Sequence, residues 1–326
     1  MIFSLAITGP TASGKTALSL SLAEMLSCEI ISCDSMQVYR RMDIGTAKAT
    51  PDERARVPHH LIDFLSPTES YSVESYRESA IKCAEEITKR GKIPLFVGGT
   101  GLYIDSLMRA GASEVPGSDV EYREAVLRGI KSEDDVLALW ERLREVDPES
   151  AEKIHKNNVK RVIRALEIYD KTGRTKSDFD KQSLLFNPEI YVGMITLDFH
   201  DRENLYARVD KRVDMMMEEG LYSEVESLYK EGALGDTASQ AIGYKEIIEH
   251  IEGRVTLDEA IEQLKLASRR YAKRQLTWFR HERDAGVIYM DTEDGKMRPI
   301  CDILAEAHSL ALEFISDYNE KKGTRQ

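Results

Sequence analysis

The stretch GPTASGKTAL, residues 9–18, fits the phosphate-binding pattern G-x-x-x-x-G-K-[ST]. Gly9, Gly14, Lys15 and Thr16 stand at the fixed positions, with Pro10, Thr11, Ala12 and Ser13 between. The apolar run of residues 2–8 before it reads as a strand, and ALSLSLAEMLS after it as a helix. This context makes the pattern a site. Backbone N–H groups at a helix N-terminus gather around an anion, Lys15 adds a mobile cation, and the Thr16 hydroxyl can ligate Mg2+. Such a loop recognises a diphosphate group and leaves open the molecule that carries it.

Outward from the loop, EIIS (29–32) reads as a second strand, RESAIKCAEEITKRG (77–91) as a helix, and IPLFVG (93–98) as a third, fully buried strand. Strands alternating with helices predict an α/β fold: a P-loop NTPase-like parallel sheet flanked by helices. Past Leu107 the texture turns charged and helical in period, through DVEYREAVLRGI, EDDVLALWERLREV and NNVKRVIRALEIYDKTG. An all-helical insertion domain over residues 112–188 is therefore expected, inside a catalytic core of 1–111 and 189–326. YVGMITLDF (191–199) returns as a strand, followed by a pair of amphipathic helices over 203–232. CDILAEAHSLALEFISDY reads as one amphipathic helix near the C-terminus, to which no function is assigned.

The chain has 326 residues, 42% of them hydrophobic and 31% charged, enough for one large domain or two smaller ones. Its net charge of −12 argues at first against a nucleic-acid partner, because Lys and Arg dominate such affinity. The mean hides two basic runs. Lys153–Lys176 and Lys265–Arg283 each carry a balance of +6, which leaves −24 elsewhere. Clustering of this kind is one footprint of a nucleic-acid protein and equally the mark of a solvated helix face. Cys28, Cys33, Cys83 and Cys301 form no C-x-x-C pair and read as buried thiols in a reducing compartment. No stretch approaches the ~20 apolar residues of a membrane span, and the N-terminal run reads as a strand rather than a signal peptide, so the expected location is the cytoplasm.

A phosphate-hydrolysing motor needs an acid at the end of an apolar strand, and the third strand instead ends in GGTG, with Thr100 in that place. An acid follows the second strand, in IISCDSMQVY: Asp34 would emerge at the carboxyl edge of the sheet and could serve as a general base, or could cap a turn. His59 and His60 lack further ligand spacing and read as structural, and Met215–Met217 as core filler.

GPTASGKT, DSMQVYRRMDIGTAK, HHLID, YSVESYR, GGTGLY, RVIRALE, QAIGYKE and SRRYAKRQLTWFR, in this order and over most of the chain to about residue 283, resemble the tRNA dimethylallyltransferase family, also called isopentenylpyrophosphate (IPP) transferases. The resemblance implies transfer of a dimethylallyl group from its diphosphate to the exocyclic amine of the adenosine 3′ to the anticodon, in tRNAs reading codons that start with U. Mg2+ is implied as cofactor, tRNA and dimethylallyl diphosphate as ligands, and a monomer as the working state. The residues from Gly9 to Thr16 would hold the diphosphate, with Asp34 as base and with Thr100 and Arg212 also acting in catalysis. The adenine would be turned out of its stack into a pocket lined by Asp34, Ser35, Met36 and Gln37. Further tRNA contacts carried over by motif are Thr100, Arg123, Lys160, Arg161, Val162, Ile163, Arg164, Gln240, Ala241, Ile242, Gly243, Tyr244 and Lys245.

Arg161 and Arg164, three apart on one predicted helix, are expected to point outward together. Arg208 and Arg212, four apart on another, could equally pair with surface acids. The second basic run could contact tRNA or pack the core through Arg269–Gln275. Two rival functions remain at this level. A small-molecule kinase would use Asp34 on an acceptor hydroxyl but leaves the first basic run and the insertion without a job. A nucleotide-sensing switch would use the loop alone, and the absent strand-end acid speaks against it.

Overall fold

Strand β1 (Ile2–Thr8) runs straight into the glycine loop and lies inside the sheet, as a mostly apolar strand does when both its faces are covered. The computed structural model describes residues 1–109, 117, 119–182, 187–282 and 284–323. The other strands are β2 (Cys28–Ser32), β3 (His59–His60), β4 (Ile93–Gly98), β5 (Ile190–Asp198) and β6 (Gly286–Tyr289). They form one sheet in the order β3-β2-β4-β1-β5-β6. Every pairing is parallel, with Leu5 opposite Leu95 on one side and Gly193 on the other. All strand carboxyl ends therefore face one way, and the loops after β1, β2 and β4 share that edge.

The helices in chain order are α1 (Lys15–Leu26), α2 (Pro51–Arg56), α3 (Val73–Lys89), α4 (Gly101–Met108), α5 (Val120–Gly129), α6 (Glu133–Val146), α7 (Pro148–Lys153), α8 (Val159–Thr172), α9 (Lys176–Gln182), α10 (Arg202–Glu218), α11 (Leu221–Lys230), α12 (Asp236–Ser239), α13 (Tyr244–Ile251), α14 (Leu257–Phe279) and α15 (Ile300–Gly323). Their starts follow the local sequence. Thr50 with Glu53, Ser132 with Asp135 and Thr256 with Glu259 each form a capping box, satisfying two orphan groups at once.

The chain divides into two units: Met1–Tyr71, Glu78–Ile104 and Glu189–Gln326 form one, Ser72–Arg77 and Asp105–Pro188 the other. The sequence put the boundary at 111/112, which lies outside the described residues. The division instead begins at Asp105 and takes in the start of α3. In the first unit, Leu5, Ile7, Leu18, Ile30, Leu95, Leu197 and Leu276 form the core around the sheet, and a second cluster gathers Tyr39, Met42, Leu221 and Tyr244. The second unit closes on Leu143, Ile154, Val162 and Leu166.

Several short elements escape sequence reading. β3 has two residues, β6 four, α7 six and α9 seven with Phe179 as its one apolar side chain, so none offers a measurable period. Cys301 is exposed, against the expectation of four buried thiols, and Cys83 is half-buried. Met216 fills the core as expected, while Met215 lies 47% exposed. Among the described residues no helix is long and apolar enough to cross a membrane.

Candidate active site

The loop after β1 takes its shape from its glycines. Gly9 has φ +138°, and a Cβ there would lie 2.8 Å from the Leu197 carbonyl oxygen; Gly14, the N-cap of α1, has φ +95°. Ala12, with φ 62°, is a non-glycine residue in the left-handed region, the kind of backbone strain that ligand clamps retain. Lys15 Nζ donates to the carbonyls of Gly9 (2.9 Å) and Pro10 (2.6 Å). Burial pushes its ammonium down to about 7, with Arg212 acting in the same direction and Asp34 opposing. Ser13 is buried, and its Oγ has no hydrogen-bond partner among the described residues. An orphaned buried hydroxyl just before the N-terminus of α1 suits an anionic ligand. Thr16 stands exposed in a first turn of α1 that carries no acid.

The segment after β2 brings Asp34 to the same edge. Its Oδ1 accepts the Met36 N–H at 2.9 Å, so the turn-capping role weighed from the sequence is realised; Oδ2 has no hydrogen-bond partner among the described residues. Thr100, after β4, donates its N–H to the Cys33 carbonyl (3.1 Å) and accepts the Ser35 N–H on Oγ1 (3.2 Å). This close approach needs Gly98, where a Cβ would lie 2.2 Å from the Cys33 carbonyl oxygen. Gln37 is directed into its own segment: Nε2 donates to the Thr46 and Ala47 carbonyls, and Oε1 accepts from Ser32 Oγ.

Helix α10 adds the arginines. Arg208 Nε donates to the Ala12 carbonyl at 2.8 Å. Burial lowers both guanidiniums, that of Arg212 against the opposing pull of Asp34 and Glu219. Neither makes an ion pair among the described residues, which answers the question of surface pairing left by their spacing. Lys15, Arg212 and the half-buried Tyr271 all feel the Asp34 charge. The reading that no acid ends a strand beside the loop needs correction. β5, the other neighbour of β1, ends in buried Asp198. Its oxygens accept two bonds from Arg280 (2.7 and 2.8 Å) and one from the Phe199 N–H (2.6 Å), so it is tied into the scaffold.

The residues carried over as tRNA contacts divide by exposure. In the first unit Gln240 and Lys245 are exposed and line a cavity of about 320 Å³, whereas Ala241 and Tyr244 are buried, Gly243 is buried beside them and Ile242 is half-buried. In the second unit Lys160 and Arg161 are exposed and Val162 and Ile163 are core. Arg164 does not point outward with Arg161. It pairs at 3.1 Å with Glu167, which is fully buried and also holds Arg123 at 2.7 Å and the Asp119 N–H. A buried carboxylate draws both guanidiniums because an unpaired charge there is costly.

In the second basic run Lys265, Arg269 and Arg280 pair with Asp214, Asp210 and Asp198, while Arg270, Lys273 and Arg274 stay exposed; Arg283 lies outside the described residues. His59 and His60 are structural, bonded to the Val57 carbonyl and to Glu29. Sequence reasoning passed over Gln275, Tyr271 and Glu224. Glu224 accepts the N–H groups of Asp43, Ile44 and Gly45 and the Tyr244 hydroxyl, fixing the segment that follows Asp34. For Gln275 the only signal was its place in the AKRQLTWFR motif.

The sequence profile of the IPP transferase family matches residues 37–282, and that of the isopentenyl transferase family residues 3–62. The chain is 51% identical over 292 residues to a tRNA dimethylallyltransferase of Bacillus mycoides, covering 89% of this chain and 90% of that one. A Bacillus cereus relative of the same name is 52% identical over the same length. Among solved structures it resembles a full-length tRNA isopentenylpyrophosphate transferase from Bacillus halodurans (TM-score 0.73, 40% identity, 99% of this chain and 100% of that chain). It also resembles a eukaryotic dimethylallyltransferase acting on tRNA (TM-score 0.75, 31% identity, 89% of this chain and 74% of that chain). With the phosphate loop, Asp34 and the α10 arginines sharing one sheet edge, and with this likeness spanning most of the sequence, the chain belongs to the tRNA dimethylallyltransferase family of prenyl-transferring enzymes.

Proposed function

We propose that this enzyme transfers the dimethylallyl group of dimethylallyl diphosphate to the exocyclic amine of the adenosine 3′ to the anticodon, in tRNAs reading codons that start with U, as a cytoplasmic monomer. The observation that carries the reading is the gathering at the loop of Lys15, Arg208 and Arg212, without acid partners among the described residues, where Lys15 and Arg212 both feel the charge of Asp34. A nucleotide-sensing switch that uses the loop alone has no use for a base there. A transferase does.

In the reaction the allylic C–O bond breaks, and its electron pair leaves with the diphosphate. The loop amides, Lys15, Arg208 and Arg212 neutralise the charge that develops on the departing oxygens. The amine nitrogen forms the new C–N bond, and its proton passes to the Asp34 carboxylate, which the Met36 N–H holds in place through Oδ1. Thr100 keeps that turn at its distance from the loop through the Ser35 N–H.

Mg2+ fits this site as a companion of the diphosphate. Among the described residues no group of three or more His, Cys, Asp or Glu side chains could hold an ion, so Thr16 Oγ1 and the substrate's own oxygens would be its ligands. Once bound there, Mg2+ supplies further charge neutralisation for the leaving group. The adenine must be turned out of its stack to reach Asp34, a displacement that exposed Lys160, Arg161 and Lys245 would support by holding the tRNA backbone.

The test is incubation with unmodified tRNA and either labelled dimethylallyl diphosphate or γ-labelled ATP. Label reaching tRNA from the first is the expected result, and phosphate transfer from the second would replace this reading with a kinase.

A further inference from the structure

We propose that Gln275 is a positioning residue that locks the phosphate loop to the turn carrying Thr100, and so sets the leaving group in register with Asp34. The inference rests on the reaction proposed above. Gln275 sits on α14 with 5% of its surface exposed. Its Oε1 accepts the Thr11 N–H at 2.8 Å, and its Nε2 donates to the Gly99 carbonyl at 2.9 Å. The orientation of the amide is forced, because a backbone N–H can only donate and a carbonyl can only accept. One side chain thus ties the loop after β1 to the turn after β4.

The fit is close on the second side. A Cβ at Gly99 would lie 2.0 Å from Gln275 Nε2, so the turn has a glycine where the amide must reach its backbone. The next residue is Thr100, whose hydroxyl holds the Ser35 N–H beside Asp34. Tyr271, one helical turn before Gln275, interacts with the side chains of both Thr100 and Gln275. Trp278, three residues on, packs over the turn, since a Cβ at Gly101 would lie 2.5 Å from its ring. One face of α14 therefore grips the turn at successive points.

Two consequences separate this role from filling space. The Thr11 amide is taken up by protein, so the anion is left to the amides further along the loop and to Lys15. And a shift of the loop relative to Asp34 requires breaking a buried amide pair, which leaves a polar group unsatisfied on each side.

Two variants test it, each measured beside the full-length wild type. Gln275→Met keeps length and loses both bonds. It should raise the pyrophosphate Kd and the KM for dimethylallyl diphosphate by about tenfold or more, the order expected for an unsatisfied buried pair, while tRNA affinity stays unchanged. Gln275→Glu keeps the acceptor for Thr11 but sets an oxygen against the Gly99 carbonyl. Protonation of that carboxyl restores an O–H donor, and burial raises its pKa, so transfer by Gln275→Glu relative to wild type should climb as the pH is lowered from about 8 to about 6. Unchanged pyrophosphate binding in Gln275→Met overturns the proposal, as does a pH profile of Gln275→Glu parallel to wild type. Equal losses of pyrophosphate and tRNA affinity with a lowered Tm also overturn it, in favour of a purely structural role. A wild type that binds pyrophosphate yet transfers nothing to tRNA refutes the proposed reaction instead, and leaves the Gln275 binding result interpretable by itself.

Discussion

Around the phosphate loop Lys15, Arg208 and Arg212 lie partly buried with no acid bonded to them among the described residues, whereas in the insertion unit Arg123 and Arg164 both close on Glu167, a carboxylate with no exposed surface. The first arrangement is unfavourable by itself, as the lowered Lys15 pKa records, and makes sense when a bound anion completes it. The second is complete as it stands. Half-buried cations that bond backbone carbonyls and no carboxylate are thus the better guide to a ligand than cations counted along a sequence.

The comparison breaks most readily at Asp34. If the loop cations serve a leaving group and Asp34 the incoming amine, Asp34→Asn should slow the transfer step by roughly 10²- to 10⁴-fold while pyrophosphate still binds. Single-turnover rates near wild type would reduce Asp34 to the turn cap its bond to Met36 already makes it.

On the other side, Glu167→Ala should destabilise the insertion unit by about 3 kcal/mol or more, because Arg123, Arg164 and the Asp119 N–H all lose their partner. Denaturant melts read this directly, and a change under 1 kcal/mol would mean that the cluster is surface electrostatics after all.

A smaller effect concerns Lys15. Its pKa falls from 10.5 to about 7 in the fold, so the unfolded chain binds more protons between those values and stability rises with pH across that window. A diphosphate favours the ammonium, so above pH 7 its binding takes up a proton and weakens as pH rises. Calorimetry of pyrophosphate binding at pH 8 in buffers of different ionisation enthalpy should show that uptake in the wild type and none in Lys15→Met. Buffer-independent heats in the wild type would remove Lys15 from the anion site.

The smallest expected change separates the exposed Arg161 from the inward-paired Arg164. Arg161→Gln should alter stability by no more than about 0.5 kcal/mol and reduce the slope of log tRNA affinity against log salt by roughly 0.9, as for one lost phosphate contact on a duplex arm. Arg164→Gln should do the reverse, lowering stability with little effect on the slope. Identical behaviour of the pair would restore the picture of two outward cations.

The chain order of the residues was enough to determine the parallel α/β sheet, the glycine loop and the helical character of the insertion. These are local matters: an apolar run of five to nine residues, a G-x-x-x-x-G-K-T pattern and a 3.6-residue period each act within a few turns of chain. Asp34 and Thr100 were also legible, since the ends of successive parallel strands must meet at one edge. Tertiary structure alone decided who partners whom. That Arg164 turns to Glu167 depends on burial of one helix face, and that Arg208 reaches Ala12 depends on packing across 196 residues of sequence. Asp198 joins Arg280, and Gln275 spans Thr11 and Gly99, through contacts separated by 82 to 264 residues. No spacing rule encodes such pairs, because the free energy that selects them arises only when desolvation leaves a buried charge or amide a single partner within reach.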